Sequence, residues 1–177
     1  MYPKIEKFLL KSEPDKKFLC LEKEFNEALQ AKFISKDLFM RICRWKSKRK
    51  TSLQKLNSEE RINDVMSSVF RSSKDSERIN LLCSLDGVAV PTASTFLTML
   101  DSSRYGVVDL HAWRVLHRMG IVRGKSSGKS LNTSNYITYL NQIRTIATHF
   151  DVTPRLVDIS LMKENQRVER RFSSSCA

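Results

Sequence analysis

The sequence predicts an all-α protein, on three observations. Apolar residues recur at the three- and four-residue spacing of one helix face in nearly every segment. With 5 Gly and 4 Pro in 177 residues, turn formers are too sparse for a β-sandwich. No stretch alternates apolar and polar residues as a half-buried strand does. Hydrophobic residues make up 41% of the chain, enough to bury a core and to argue against wholesale disorder. The length suits one domain, or two small lobes.

The elements follow in order. Phe18, Leu21, Phe25, Ala28 and Leu29 predict a helix over 15–33. Ser35 caps a second, through about Trp45, with Leu38, Phe39, Ile42 and Cys43 on one face. The polar stretch 46–57 reads as a loop. Asn57 and Glu60 have the spacing of a capping box before a helix bearing Ile62, Val65, Met66 and Val69. Another helix opens over 73–76, turns Ile79, Leu82, Cys83 and Leu85 inward, and ends at Gly87. After a tight turn, Pro91 suits the first turn of a helix reaching Leu100. Tyr105 to Val108 is extended, and Asp109 caps a helix through Met119. A basic Gly/Ser loop spans 120–132. Ile137, Leu140, Ile143, Ile146 and Ala147 mark an amphipathic helix over 135–150. Thr153-Pro154 opens the last one, with Leu156, Val157, Ile159 and Leu161. Residues 171–177 are expected to fray, and no internal repeat is present.

The formal net charge is +12, and it is uneven. Residues 41–50, RICRWKSKRK, hold six basic side chains and no acid. Residues 101–150 carry a net +5, with Asp101 and Asp109 as their only acids. Positive charge alone fits a nucleic acid, an acidic protein or a membrane surface. A run such as Arg44, Lys46, Lys48, Arg49 and Lys50 is either a solvated face or a phosphate-contacting patch. No apolar run approaches the roughly 20 residues of a membrane-spanning helix. The opening residues lack the apolar core of a secretory signal, so an intracellular protein is expected, in cytoplasm, nucleoid or nucleus.

Several motifs are set aside. Cys20, Cys43, Cys83 and Cys176 form no C-x-x-C pair, which argues against a zinc ribbon or iron–sulfur cluster. The first three lie in apolar helical patterns and are expected as small core residues. Gly124 to Ser130 imitates a phosphate-binding P-loop. It has three residues between its glycines where four are needed, and no buried strand before it. Arg123, Lys125 and Lys129 make that loop a better candidate for a mobile contact to DNA backbone. His111, His117 and His149 are too scattered for a metal site. Asn132-Thr133-Ser134 matches a glycosylation acceptor, without meaning in an intracellular protein.

The informative segment is 79–120. An apolar helix meets Asp86-Gly87-Val88-Ala89, and a second helix starts at once near Pro91. Gly87 allows the reversal by taking positive φ. The amides at the start of the new helix, with its dipole, form an anion site of the size of one phosphate. The same residues also serve an ordinary corner in an all-α core. Leu85 to Ala89, with Thr92-Ala93, resembles a helix-hairpin-helix motif. Val107-Val108-Asp109-Leu110-His111, with Trp113-Arg114-Val115, resembles the G/P-rich loop and aspartate of DNA glycosylases. Over about 40 residues the chain is thus similar to the helix-hairpin-helix DNA glycosylase superfamily, which includes endonuclease III, adenine and alkyl-purine branches.

The resemblance implies a two-lobed helical bundle, with DNA and a flipped base at a cleft between the lobes. Here the lobes would be 35–120 and 1–34 with 121–170. It implies a monomeric enzyme of base excision repair, hydrolysing the N-glycosidic bond of a damaged or mispaired base in double-stranded DNA. Asp109 matches the family's aspartate, whose carboxylate stabilises an oxocarbenium-like state and orients water. An Asp before a helix is also an ordinary cap. Gly87, Val88, Ala89 and Thr92 match the backbone-binding hairpin. Trp45 and Trp113 are candidates for stacking or core, and His111 for support of Asp109. Pro91 stands where bifunctional members carry a Schiff-base lysine, so no lyase activity is expected. Ala89 replaces a hairpin glycine, a costly exchange if positive φ is needed there. No cofactor is implied beyond a monovalent cation at the hairpin. The alternatives are a DNA-binding module of the same fold that senses lesions or structure without chemistry, and an all-α protein-interaction domain.

Overall fold

The computed structural model describes residues 3–9 and 15–174. Among the described residues there are ten α-helices and no strand. In chain order they are α1 (Pro3–Leu9), α2 (Lys16–Gln30), α3 (Lys36–Lys46), α4 (Thr51–Gln54), α5 (Glu59–Arg71), α6 (Asp75–Cys83), α7 (Val90–Leu100), α8 (Leu110–Arg118), α9 (Thr133–Phe150) and α10 (Pro154–Ser174). The chain divides into two compact units. One is Asp15–Ser102; the other is described over 3–9 and 103–174.

The Asp15–Ser102 unit is built around α7. Its residues from Thr92 to Met99 are all buried. Ala93, Ser94 and Thr95 are small, so neighbouring helices approach closely. The buried hydroxyls return to their own helix: Ser94 donates to the Pro91 carbonyl at 2.9 Å and Thr98 to that of Ser94 at 2.7 Å. This satisfies them without breaking the helix. Phe96 meets Phe25 of α2 at 5.8 Å and Phe39 of α3 at 5.5 Å between ring centroids. These rings tie α2 and α3 to α7. Asn26 adds a bond to the Met99 carbonyl at 3.1 Å.

The second unit has α10 at its centre, in contact with α1, α8 and α9. Ala112, Trp113, Val115 and Leu116 form the buried face of α8. Along the seam with α10, Arg114 donates to Glu169 at 2.9 Å, Arg118 donates to Asn165 at 2.6 Å, and His111 Nδ1 meets the Asn165 amide at 2.7 Å. The hydrogen bond from Asn165, then the charges of His111 and Arg114, hold the Glu169 carboxyl below its ordinary value.

Several expectations change. The division falls at 102/103 rather than at 120, because α8 packs on α10 while α2 packs on α3 and α7. The cap before α5 is Ser58, which accepts from the Arg61 N–H at 3.1 Å; Asn57 is buried elsewhere. One helical turn, α4, interrupts the predicted 46–57 loop. The helix α10 continues to Ser174, and residues 175–177, with Cys176, lie outside the described residues. Cys43 is buried, which pushes its thiol up to about 12, but Cys20 is exposed because it faces away from the α2 core stripe.

Candidate nucleic-acid interface

The helix-turn-helix corner is tight. Val88 N–H donates to the Leu85 carbonyl at 3.1 Å, and Gly87 takes φ +71°. Ala89 is extended, with φ −100°, and serves as the N-cap of α7 without a side-chain cap bond. The alanine in place of a hairpin glycine is therefore unstrained. The Thr92 and Ala93 amides already donate to the Ala89 carbonyl, at 2.8 and 2.9 Å. Val88 and Thr92 side chains are buried, so neither presents a side-chain contact surface. What the corner offers an anion is narrower than the sequence implied: the turn at half-buried Gly87 and exposed Ala89, at the positive end of α7.

The segment that follows the basic run is fastened to this corner, by residues of which sequence reasoning names only Asn57, as a cap. Gln54 of α4 donates to the Gly87 carbonyl at 3.2 Å. Asn57 donates to the Asp86 carbonyl at 3.0 Å and accepts from the Asp86 N–H at 2.9 Å. Arg61 donates to the Ser84 carbonyl at 2.6 Å. The turn backbone is thus held by side chains of the 54–61 segment. Arg44, Lys48, Arg49, Lys50 and Lys55 are exposed, and Lys46 is half-buried. Arg41 is withdrawn from the patch by its ion pairs with Glu24 and Asp37. Trp45 is half-buried against Phe18, with ring centroids 5.2 Å apart. Its indole N–H donates to Asp15 at 2.8 Å, a bond that first of all holds the Asp15 carboxyl below its ordinary value. A stacking role for Trp45 would require breaking that bond.

The second unit carries Asp109. The segment 105–108 is a buried extended strap with no strand partner, so its backbone groups need other partners. Side chains supply them. The Val107 N–H donates to Asp158 Oδ2 of α10 at 2.8 Å. Tyr139 of α9 donates to the Val107 carbonyl at 3.3 Å and Tyr136 to that of Gly106 at 3.4 Å, both long for a hydroxyl. Arg144 donates to the Arg104 carbonyl at 2.9 Å. Gly106 is required by close approach: a Cβ there would lie 2.5 Å from Ile143 Cδ1 and 3.0 Å from Asp158 Oδ2.

The strap delivers Asp109 as the N-cap of α8, half-exposed, with Oδ1 accepting from the Ala112 N–H at 2.8 Å. Burial first, then the Asp158 and Asp109 charges, push the Tyr139 phenol well above its ordinary value, so it stays a donor. His111 turns to Asn165 and Glu169 of α10. Trp113 is 1% exposed and belongs to the core, which removes it as a stacking platform. Its indole N–H donates to the Lys125 carbonyl at 3.0 Å, and Arg114 donates to that of Ser127 at 2.9 Å. Gly128 lies against Leu110, where a Cβ would be 2.8 Å from the carbonyl oxygen. The basic loop with Arg123, Lys125 and Lys129 exposed is therefore pinned beside Asp109. It is not the mobile segment expected.

Sequence reasoning names neither Arg155 nor Tyr139 as parts of this arrangement, and Asp158 only as an acid of the last helix that packing could bring back toward the site. The available signal was an acid and a base three residues apart in the otherwise apolar start of α10. Among the described residues, no group of three or more His, Cys, Asp or Glu is placed to hold a metal ion, and no helix is long and apolar enough to cross a membrane. No family model matches the chain, and neither a curated protein nor a solved structure gives a significant match.

Proposed function

We propose that this chain is a DNA glycosylase that hydrolyses the N-glycosidic bond of a damaged or mispaired base. The arrangement we propose is two-lobed, with the flipped base in a cleft, as in the helix-hairpin-helix superfamily that its sequence resembles. The observation that supports it most is the linkage of the hairpin corner at Gly87 to Asp109, which ends a buried strap and begins α8. On this reading the turn and the cations at 44–50 hold the duplex backbone. The loop cations Arg123, Lys125 and Lys129 add contacts near Asp109. Phosphate contacts of this kind position DNA without reading sequence. In the reaction, water adds to C1′ as the C1′–N bond breaks. The base leaves with the bonding pair and takes a proton. The Asp109 carboxylate offsets the positive charge that builds on the sugar and accepts the proton lost by water. Pro91 in the first turn of α7 supports a monofunctional reaction, since no lysine stands there to form a Schiff base. A monovalent cation at the hairpin is part of the proposal: Gln54 Oε1 is buried beside that turn without a hydrogen-bond partner, which suits such an ion.

A second reading is favoured by one observation. Asp109 already works as a helix cap through Oδ1, which is all a non-catalytic protein of this fold would ask of it. That protein would bind duplex DNA as a sensor. The purified chain, offered duplexes with uracil, hypoxanthine, alkyl-purine, 8-oxoguanine or mismatched bases and then treated with alkali, separates the two. Base release that falls by about a hundredfold or more in Asp109→Asn supports catalysis. Salt-dependent binding without release from any duplex supports the sensor. With about six phosphates neutralised, log K falls against log salt with slope of about −5; a flat response rejects both readings.

A further inference from the structure

We propose that Asp158, held by Arg155, is a positioning residue for Asp109, acting through the Val107 N–H. The inference rests on the reading of Asp109 as the reactive carboxylate, and adds to it the group that fixes where that carboxylate stands.

Tyr136 and Tyr139 of α9 reach the strap over 3.4 and 3.3 Å, and Arg144 holds its entry. The bond from Val107 N–H to Asp158 Oδ2, at 2.8 Å, is short and charge-assisted, and it lies two residues before Asp109. Asp158 is 3% exposed, so it reaches neither solvent nor a DNA strand. Its other oxygen, Oδ1, accepts from Arg155 at 2.6 Å, and Arg155 is buried as well. A carboxylate buried this deeply needs both a counter-charge and hydrogen bonds. Arg155 supplies the first, and the strap amide supplies one of the second. The pair sits one turn into α10, so the longest helix of the unit sets the register of the strap. Gly106 makes the fit exclusive, since a Cβ at that position would stand 3.0 Å from Asp158 Oδ2 and 3.1 Å from the Pro154 carbonyl. The Asp109 backbone, extended at φ −140° and ψ 173°, continues the strap directly into the cap. A shift at Val107 is passed along that extended chain to the carboxylate.

The test compares wild type with Asp158→Asn, which keeps the shape and removes the charge. Gly106→Ala is the second variant, pressing on the same oxygen while leaving the ion pair intact. Single-turnover base release is expected to fall by about ten- to a hundredfold in Asp158→Asn, because a misplaced reacting group costs that much. Duplex affinity should stay within about twofold, since phosphate contacts elsewhere set it. Adding Asp158→Asn to Asp109→Asn should cost nothing more, which a general loss of folding would not reproduce. Two readouts need no activity: exchange of the Val107 amide, and the NMR chemical shift of the Asp109 carboxyl carbon. Both should move in both variants, with the α2 amides of the other unit unchanged. If Val107 exchange and the Asp109 carboxyl chemical shift match wild type, the proposal is overturned, whether or not base is released. If wild type releases no base while both readouts move, the catalytic reading of Asp109 falls and the positional link stands. If release falls equally with and without the Asp109 carboxylate, Asp158 acts elsewhere and the proposal is overturned.

Discussion

Replacing Gly87 by Ala tests the hairpin corner most sharply. An L-residue in the left-handed region costs about 1–2 kcal/mol, and Gly87 sits at φ +71°. The added Cβ would stand 2.9 Å from Gln54 Cγ, 2.9 Å from the Gln54 backbone nitrogen and 2.9 Å from Leu53 Cβ. A side-chain end could swing away, but a backbone nitrogen moves only with α4. Overpacking of that kind costs a further 1–3 kcal/mol, about. The sum is about 2–5 kcal/mol, or about 4–20 °C of melting temperature in a chain of this size. Displacing α4 also weakens the Gln54 and Asn57 bonds that hold the turn, so duplex affinity should fall with stability. Ala89→Gly is the control, because Ala89 is extended at φ −100° and already relaxed. It should destabilise by no more than about 1 kcal/mol, through added freedom in the unfolded chain. Circular dichroism melts of the two variants decide the matter. A Gly87→Ala protein melting within about 2 °C of wild type would refute the reasoning, as would an Ala89→Gly protein more stable than its parent.

Other expectations follow from single contacts. Trp113→Phe keeps the ring in the core and loses the bond to the Lys125 carbonyl, at a cost of about 1 kcal/mol. Native trypsin cleavage after Lys125 and Lys129 should accelerate, and an unchanged rate would show the loop is held by other means. With Cys176 replaced by Ser, a thiol reagent at pH 8 should modify exposed Cys20 promptly. Buried Cys43, its thiol pushed up to about 12, should react only on unfolding. Glu169 has a folded pKa below its ordinary 4.5, so its stabilising effect is complete above that value and is lost as pH falls through the depressed one. The stability difference between wild type and Glu169→Gln should shrink with acidification below pH 4.5; a constant difference would mean that the charge is immaterial.

The helical class and most helix bounds were legible because single-helix signals decide them. Ser35 caps α3, Asp109 caps α8, and the apolar stripe of α9 repeats over eighteen residues. The errors fall where a local signal competed with a tertiary one. Asn57 has the spacing of a capping box, yet the adjacent Ser58 can cap as well, and Asn57 is the residue whose amide matches both backbone groups of Asp86. Trp113 sits in an amphipathic pattern that fits core and platform equally; only the Lys125 carbonyl, which satisfies its N–H, resolves the choice. The compact units differ from the expected lobe bounds for the same reason, since the partners of α2 and α8 lie far away in sequence.

The candidate site shows the same limit in a more consequential form. The sequence marks Asp109, because a carboxylate before a helix and after two valines is a local pattern. It does not mark what fixes that carboxylate, because Asp158 lies 49 positions away and reads as a stray acid in LVDISL. A buried acid has to be explained by its partners. Arg155 by itself explains a neutralised pair, which hydrophobic residues could have replaced without loss of stability. The bond to Val107 supplies a reason for the acid to be there, namely that a buried extended strap must be tied to something rigid. The same logic accounts for Gly106, which lets the strap approach α10 closely enough for that bond. Charge patterning in the sequence marks two basic segments, the second of which contains Asp109. The geometry adds that the strap leading to this carboxylate is held from behind, by a charge that never meets solvent.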